Sequence, residues 1–334
     1  MTDAPLVTVL IPARNEEADI ERCLRAVLAQ DHPHDRMEIV LVDGGSTDGT
    51  ATVARSILES GDIAWKIVDN PAGTTPSNLN AGLAVASGEY LCRVDARSII
   101  PVEYVRLCAE VLETRPDVVV TGGAQVAEPR SDAVIDVGIA RALNNRFAMG
   151  GSRYRSGASS GPTDTVYLGA FRTSLPRSIG GWNPYFSTNQ DYELNRRLGR
   201  EGIVWFDARL AVAYIPRSSI AGLWRQYHRF GRWKVRYWRR TGDRPQRRQQ
   251  LLIAALPATA AVIGCVLRMS RERDRKAWSL GLAAIAGAAA IEHRGSTVPE
   301  GGLAPRAVSV WSMAVVAVAW GSGVWREGLA GSRP

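Results

Sequence analysis

Short runs of apolar and β-branched residues alternate, over the first third of the chain, with stretches whose apolar positions recur every three or four residues. Residues 6–13, 38–43, 65–69, 90–95 and 118–121 read as buried strands bounded by turn residues. Residues 17–30, 48–60, 76–87 and 101–114 read as helices, with Pro76 and Pro101 in first turns, where a missing N–H costs nothing. Strand and helix in alternation predict an α/β fold with a mostly parallel central sheet covered on both faces. Ligands in such sheets bind beyond the carboxyl ends of the strands. Here those ends are Pro12-Ala13-Arg14-Asn15-Glu16, Asp43-Gly44-Gly45-Ser46-Thr47-Asp48 and Arg93-Val94-Asp95-Ala96-Arg97.

The pattern loosens over residues 130–162, where a helix is predicted at 134–145 ahead of a Gly/Ser/Arg-rich loop. It sharpens again in a strand-like run at 164–171 and a helix opening near Asn189, with Asp191 and Glu193 in a first turn that favours carboxylates. Residues 218–240 read as an amphipathic helix. Gln226, Arg229, Trp233, Arg236 and Arg240 share one side, and Leu223, Tyr227, Phe230 and Tyr237 share another. Apolar runs follow at 251–267, 277–291 and 307–325. Each is short or marginal against the roughly 20 residues needed to span a bilayer.

The 334 residues suggest two modules or more, set here as 1–215, 216–250 and 251–334. Four widely spaced cysteines indicate neither a zinc ribbon nor a disulfide framework and suit a reducing compartment. The net charge of +8 is local: residues 216–250 hold eleven Lys or Arg against one Asp, and the remainder of the chain sums to −2. Basic residues mixed with aromatics beside an apolar tail fit a membrane interface, not a nucleic-acid groove. The first residues lead straight into a strand-like run, without the pattern of a signal peptide. The segment before Leu251 is expected on the cytoplasmic side, but residues 268–276 are also net positive. A re-entrant hairpin or interfacial helices would reconcile the two.

Four constellations carry chemistry. The first joins the Pro12–Glu16 loop to Asp43-Gly44-Gly45-Ser46-Thr47-Asp48. No G-x-G-x-x-G follows the first strand, so a dehydrogenase-like dinucleotide site loses support. Acidic strand ends accept hydrogen bonds from a base and ribose, although Asp43 and Ser46 would also serve as turn and helix caps. The second is Asp95, a hard-oxygen ligand placed to hold a divalent cation against a diphosphate. The third is Asp191 in Asn189-Gln190-Asp191-Tyr192-Glu193-Leu194, a general-base candidate, with helix capping as the plainer alternative. The fourth is Gln226-Tyr227-His228-Arg229-Phe230, whose Arg229 suits a phosphate or an interface.

Taken in this order, the motifs resemble those of glycosyltransferase family 2, over residues 6 to 238. Within it the chain is most similar to the succinoglycan-type, ExoA-like membrane glycosyltransferases. That likeness rests on Arg93-Val94-Asp95-Ala96, the run from Asp164 to Arg172, Asn189 to Asn195, and Tyr214-Ile215-Pro216-Arg217-Ser218. The resemblance implies a GT-A nucleotide-sugar-binding fold followed by an amphipathic interface helix and apolar C-terminal membrane helices. It also implies inverting transfer of a single sugar from a nucleotide-sugar donor, with UDP preferred, to a lipid-linked, polyprenyl-diphosphate saccharide. Carried onto this sequence, Pro12, Ala13 and Glu16 would line the nucleoside site and Asp43 would read the base. Asn80 and Arg93 would join the donor site, and Asp95 would meet the metal-diphosphate. Asp191 would deprotonate the acceptor, while Gln226 and Arg229 would close over the diphosphate.

Two departures stand out. Arg97 occupies a position where the family places Asp or His, and an arginine repels a cation, which puts the expected Mn2+ or Mg2+ in doubt. Asp95 would then hold the ion alone, or Arg97 would replace part of its charge, or Arg97 would point to solvent. Phe230 stands where processive synthases carry Trp, in keeping with single-sugar transfer. The expected setting is the cell membrane, with the catalytic domain cytoplasmic and polysaccharide-assembly proteins as further partners. The alternatives are a polyprenyl-phosphate sugar synthase and a catalytically silent nucleotide-sugar-binding subunit.

Overall fold

The strand-like runs assemble into one central sheet in the computed structural model, which describes residues 4–146, 159–247, 249–254, 287, 290–295 and 302–331. The strands are β1 (Val7–Ala13), β2 (Met37–Asp43), β3 (Ala64–Asp69), β4 (Tyr90–Arg93), β5 (Ser98–Ile99), β6 (Val118–Gly123), β7 (Gln125–Ala127), β8 (Gly161–Pro162), β9 (Tyr167–Arg172), β10 (Ile203–Phe206) and β11 (Val212–Tyr214). The helices are α1 (Ile20–Leu28), α2 (Thr50–Glu59), α3 (Thr75–Val85), α4 (Tyr104–Thr114), α5 (Val134–Leu143), α6 (Ser174–Ser178), α7 (Gln190–Leu198), α8 (Ile220–Thr241) and α9 (Leu303–Leu329).

The eight-stranded sheet runs β3-β2-β1-β4-β9-β6-β10-β8, and β5, β11 and β7 form a second, three-stranded sheet. Strands β3, β2, β1 and β4 are mutually parallel, and β1 pairs with both β2 and β4. The chain therefore reverses its direction of travel across the sheet at β1, so a crevice opens where β1 and β4 end. Every residue of β2 and β4 is buried, as the apolar runs 39–42 and 90–92 favour. Strands β9 and β8 depart from the parallel expectation: β9 lies antiparallel between β4 and β6, and β8 pairs antiparallel with β10.

The chain divides into two compact units, Met1–Val126 with Ser156–Ile215, and Ala127–Arg155 with Pro216–Pro334. In the second, Leu223 and Tyr227 of α8 are buried with Ile139 and Leu143 of α5 and with Val315, Val316 and Ala319 of α9. The apolar side of α8, expected at a bilayer surface, is thus covered by protein. Two glycines let α8 and α9 approach: a Cβ on Gly231 would lie 2.0 Å from the Trp320 carbonyl oxygen, and one on Gly323 would lie 2.1 Å from that of His228. Glu327 of α9 accepts from Arg232 at 2.8 Å and from Arg236 at 2.7 Å, so part of the cationic side of α8 is neutralised within the unit.

Among the described residues one helix, α9, is long and apolar enough to cross a membrane by length and composition. The apolar runs at 251–267 and 277–291, and Cys265, lie largely or wholly outside the described residues. Cys23, Cys92 and Cys108 are buried free thiols.

Candidate active site

The loop after β1 is stitched to the loop after β2. Asn15, in the left-handed region at φ 53°, donates its N–H to the Ser46 hydroxyl at 3.0 Å and accepts from the Thr47 N–H at 2.8 Å. The Glu16 N–H donates to the Thr50 hydroxyl at 2.8 Å, and Gly49 N–H donates to the Glu17 carboxylate at 3.1 Å. The Thr50 hydroxyl, against some cost from burial, holds the Asp48 carboxyl below its ordinary pKa. Pro12 and Ala13 end β1, and the Ala13 carbonyl accepts from Gly44 N–H at 2.8 Å. Asp43, buried at the end of β2, accepts from the Ser46 hydroxyl at 2.5 Å, the turn-closing bond that an Asp in this position favours.

The next strand end contributes a guanidinium–carboxylate pair. Arg93, the last residue of β4, is buried and donates from Nε to Asp95 Oδ1 at 2.8 Å and from Nη2 to Oδ2 at 3.2 Å. Burial disfavours its charge, but the carboxylates of Asp95 and then Asp191 outweigh this and raise its pKa above the ordinary value. Asp191 sits in the first turn of α7, entered through Asn189 at φ 65°, and accepts from the Tyr192 N–H at 2.8 Å. Asp95 and Asp191, remote in sequence, therefore act on one buried cation.

Tyr167 belongs to the same neighbourhood and was missed as a site residue. Its hydroxyl is 2.7 Å from that of Ser98, and burial followed by the Asp95 charge pushes its pKa up. Its signals in the sequence are a strand-like run and the motif stretch Asp164 to Arg172, and neither singles out the tyrosine. Asn80 is engaged elsewhere: its amide donates to the Trp182 carbonyl at 2.7 Å and accepts from the Trp182 N–H at 2.8 Å. Both ends of the side chain thus bracket the turn at Gly180-Gly181-Trp182.

Gln226 and Arg229 lie in the second unit on α8, three residues apart and so on one side of the helix. Burial first, and then the charge of Arg217, lowers the Arg229 pKa. Arg217 precedes α8 and folds its stem over Gly222, where an added Cβ would lie 3.3 Å from Arg217 Cβ.

Asp95 as a cation ligand meets a donor set that does not fit one. A divalent ion takes several hard oxygens at about 2.0–2.6 Å. Both Asp95 oxygens already accept from Arg93. Among the described residues no group of three or more His, Cys, Asp or Glu is placed to hold an ion. Nor does Arg97 point to solvent: its Nε donates to Glu16 at 2.7 Å and lies 3.7 Å from Asp19 Oδ2.

Comparison with known proteins agrees with the motif order. The Glycosyl transferase family 2 model matches residues 8–153. The succinoglycan biosynthesis protein ExoA of Rhizobium meliloti is 29% identical over 323 residues, 96% of this chain and 94% of its own. A dolichyl N-acetyl-alpha-D-glucosaminyl phosphate 3-beta-D-2,3-diacetamido-2,3-dideoxy-beta-D-glucuronosyltransferase of Methanococcus voltae is 25% identical over 234 residues, 67% of this chain and 71% of its own. The mannosyltransferase PcManGT of Pyrobaculum calidifontis, solved with GDP-Man and Mn2+, shares the fold with a TM-score of 0.65 at 22% identity, over 97% of this chain and 88% of its own. From the motifs, the sheet and these likenesses together, residues 8–153 carry a region that matches glycosyl transferase family 2, and the chain has a GT-A-like fold.

Proposed function

We propose that this enzyme transfers a single sugar, with inversion, from a nucleotide-sugar donor to a lipid-linked saccharide in cell-envelope or exopolysaccharide synthesis. The observation that supports the reading is the pairing of Asp95 with Arg93 at the carboxyl end of β4, where the charge of Asp191 also acts on Arg93. The Asp191 carboxylate takes the proton of the acceptor hydroxyl. The oxygen attacks the anomeric carbon from the face opposite the leaving group, the bond from that carbon to the diphosphate oxygen breaks, and the nucleoside diphosphate leaves with the electron pair. Pro12, Ala13, Glu16 and Asp43 serve the nucleoside end of the donor. Arg93 orients Asp95, and Asn80 steadies the neighbouring turn.

Gln226 and Arg229 take a phosphate role. Arg229 and Arg217 repel each other, and an anion bound between two guanidinium groups relieves that repulsion. The relatives support the substrate classes. One is named for succinoglycan synthesis, another for transfer to a dolichyl-linked sugar phosphate, and PcManGT was solved with a nucleotide sugar. A UDP-sugar is the preferred donor. Helix α9 provides the membrane attachment, with the catalytic unit on the cytoplasmic side and polysaccharide-assembly proteins as neighbours. The Mn2+ of PcManGT supports a divalent cation in this fold in general. No step here is routed through one, because the donor set around Asp95 does not fit it.

The test is transfer by the purified full chain from UDP- and GDP-sugars to polyprenyl-diphosphate saccharide, with polyprenyl phosphate as a parallel acceptor. Asp191→Asn is expected to lower the rate by about 10² to 10⁴ while nucleotide binding survives. Full turnover by that variant removes Asp191 from the mechanism. Transfer to polyprenyl phosphate alone replaces the saccharide acceptor with the lipid phosphate.

A further inference from the structure

Arg97 stands two residues beyond Asp95, and the structure gives it a defined place. Its side chain is 18% exposed and pairs with Glu16, which is 19% exposed, while Asp19, 3.7 Å from the same Nε, is 2% exposed. Its carbonyl accepts from the Ile215 N–H at 3.1 Å, which fixes the main chain from which the side chain extends. Burial first, and then the charges of Asp95, Asp19 and Glu16 in turn, push the Cys23 thiol pKa up. The Cys23 thiol itself lies 3.6 Å from the Asp95 carbonyl oxygen. Carboxylates from two strand ends and the start of α1 thus act on one neighbourhood. The cations within it are guanidinium groups, Arg93 on Asp95 and Arg97 on Glu16 and Asp19.

We propose that Arg97 is the built-in cation of the donor site, binding the donor diphosphate directly after exchanging the Glu16 carboxylate for a phosphate oxygen. A guanidinium fork matches phosphate geometry, is always charged, and is more weakly hydrated than an ammonium group. A diphosphate offers the Arg97 fork two oxygens and more negative charge than a single carboxylate, which strengthens that bond. In the same exchange Glu16 gives up Arg97 and accepts from the ribose or base. The inference rests on the donor-site reading above and extends it: nucleotide binding does not require a divalent ion.

The experiment is isothermal titration of the full-length protein with UDP, GDP and inorganic pyrophosphate, in excess EDTA and again with Mn2+. The expected result is binding in EDTA with an affinity within about threefold of that in Mn2+. Arg97→Met should weaken it by about tenfold to a hundredfold, and Arg97→Lys by less. Arg97→Asp should make binding depend on Mn2+. Since the wild-type comparison needs no variant, a folding defect in Arg97→Met does not spare the proposal. Binding of UDP or GDP by the wild-type protein only when Mn2+ is present overturns the inference and leaves the donor site standing. Failure of all three probes to bind under either condition overturns the donor site itself.

Discussion

Glu38 lies near the start of β2, at the end of the sheet away from the candidate site, and it gives a test of the fold that does not touch the chemistry. Its Oε1 accepts from the Thr8 hydroxyl at 2.5 Å and from the Ser87 N–H at 2.5 Å, and its Oε2 lies 3.4 Å from Lys66 Nζ. One buried carboxylate therefore ties β1, β2, β3 and the loop entering β4. Burial opposes its charge, but the bonds from Ser87 and Thr8, with Lys66, prevail and pull its pKa from 4.5 down to about 2. That depression corresponds to about 3 kcal/mol of stability. Because the native state holds the proton less tightly than the unfolded chain, the contribution is complete above the unfolded value of 4.5 and is lost as pH falls toward about 2.

Glu38→Gln removes the charge and nearly preserves the shape. Urea unfolding of both proteins, followed by tryptophan fluorescence, measures the difference at neutral and acidic pH. The wild-type advantage should be constant down to about pH 5 and then shrink by about 1.4 kcal/mol per pH unit. Transfer activity at neutral pH should be unchanged. Stability curves that stay parallel from neutral pH to about pH 3 would refute the reasoning, because Glu38 would then titrate alike in both states.

Two further substitutions probe other junctions. Asn80→Ala leaves the N–H and carbonyl of fully buried Trp182 without their side-chain partner, and should cost about 1–3 kcal/mol, seen as a lower urea midpoint. Gly323→Val places a branched side chain against the His228 carbonyl and should destabilise the α8–α9 packing by about 1–3 kcal/mol, read as a lower melting temperature. An unchanged melting temperature for that variant would mean that the two helices do not depend on this close approach.

Periodicity and turn residues alone located β1 to β4, β6, the helices between them and α8, because an apolar repeat of two or of three to four residues is a local property of the chain. The motif order likewise marked Asp95 and Asp191 before any geometry was known. What a local pattern does not carry is partnership across sequence distance. The antiparallel seat of β9 depends on which strand edges are left open once β4 and β6 have formed. Likewise, the pairing of Arg97 with Glu16 arises because β1 and β4 are neighbours, and Asn80 meets Trp182 through the return of the chain past β9. An amphipathic helix shows that an apolar face will be covered, but lipid and protein satisfy the same hydrophobic demand. For Leu223 and Tyr227 of α8, α5 and α9 supply that cover.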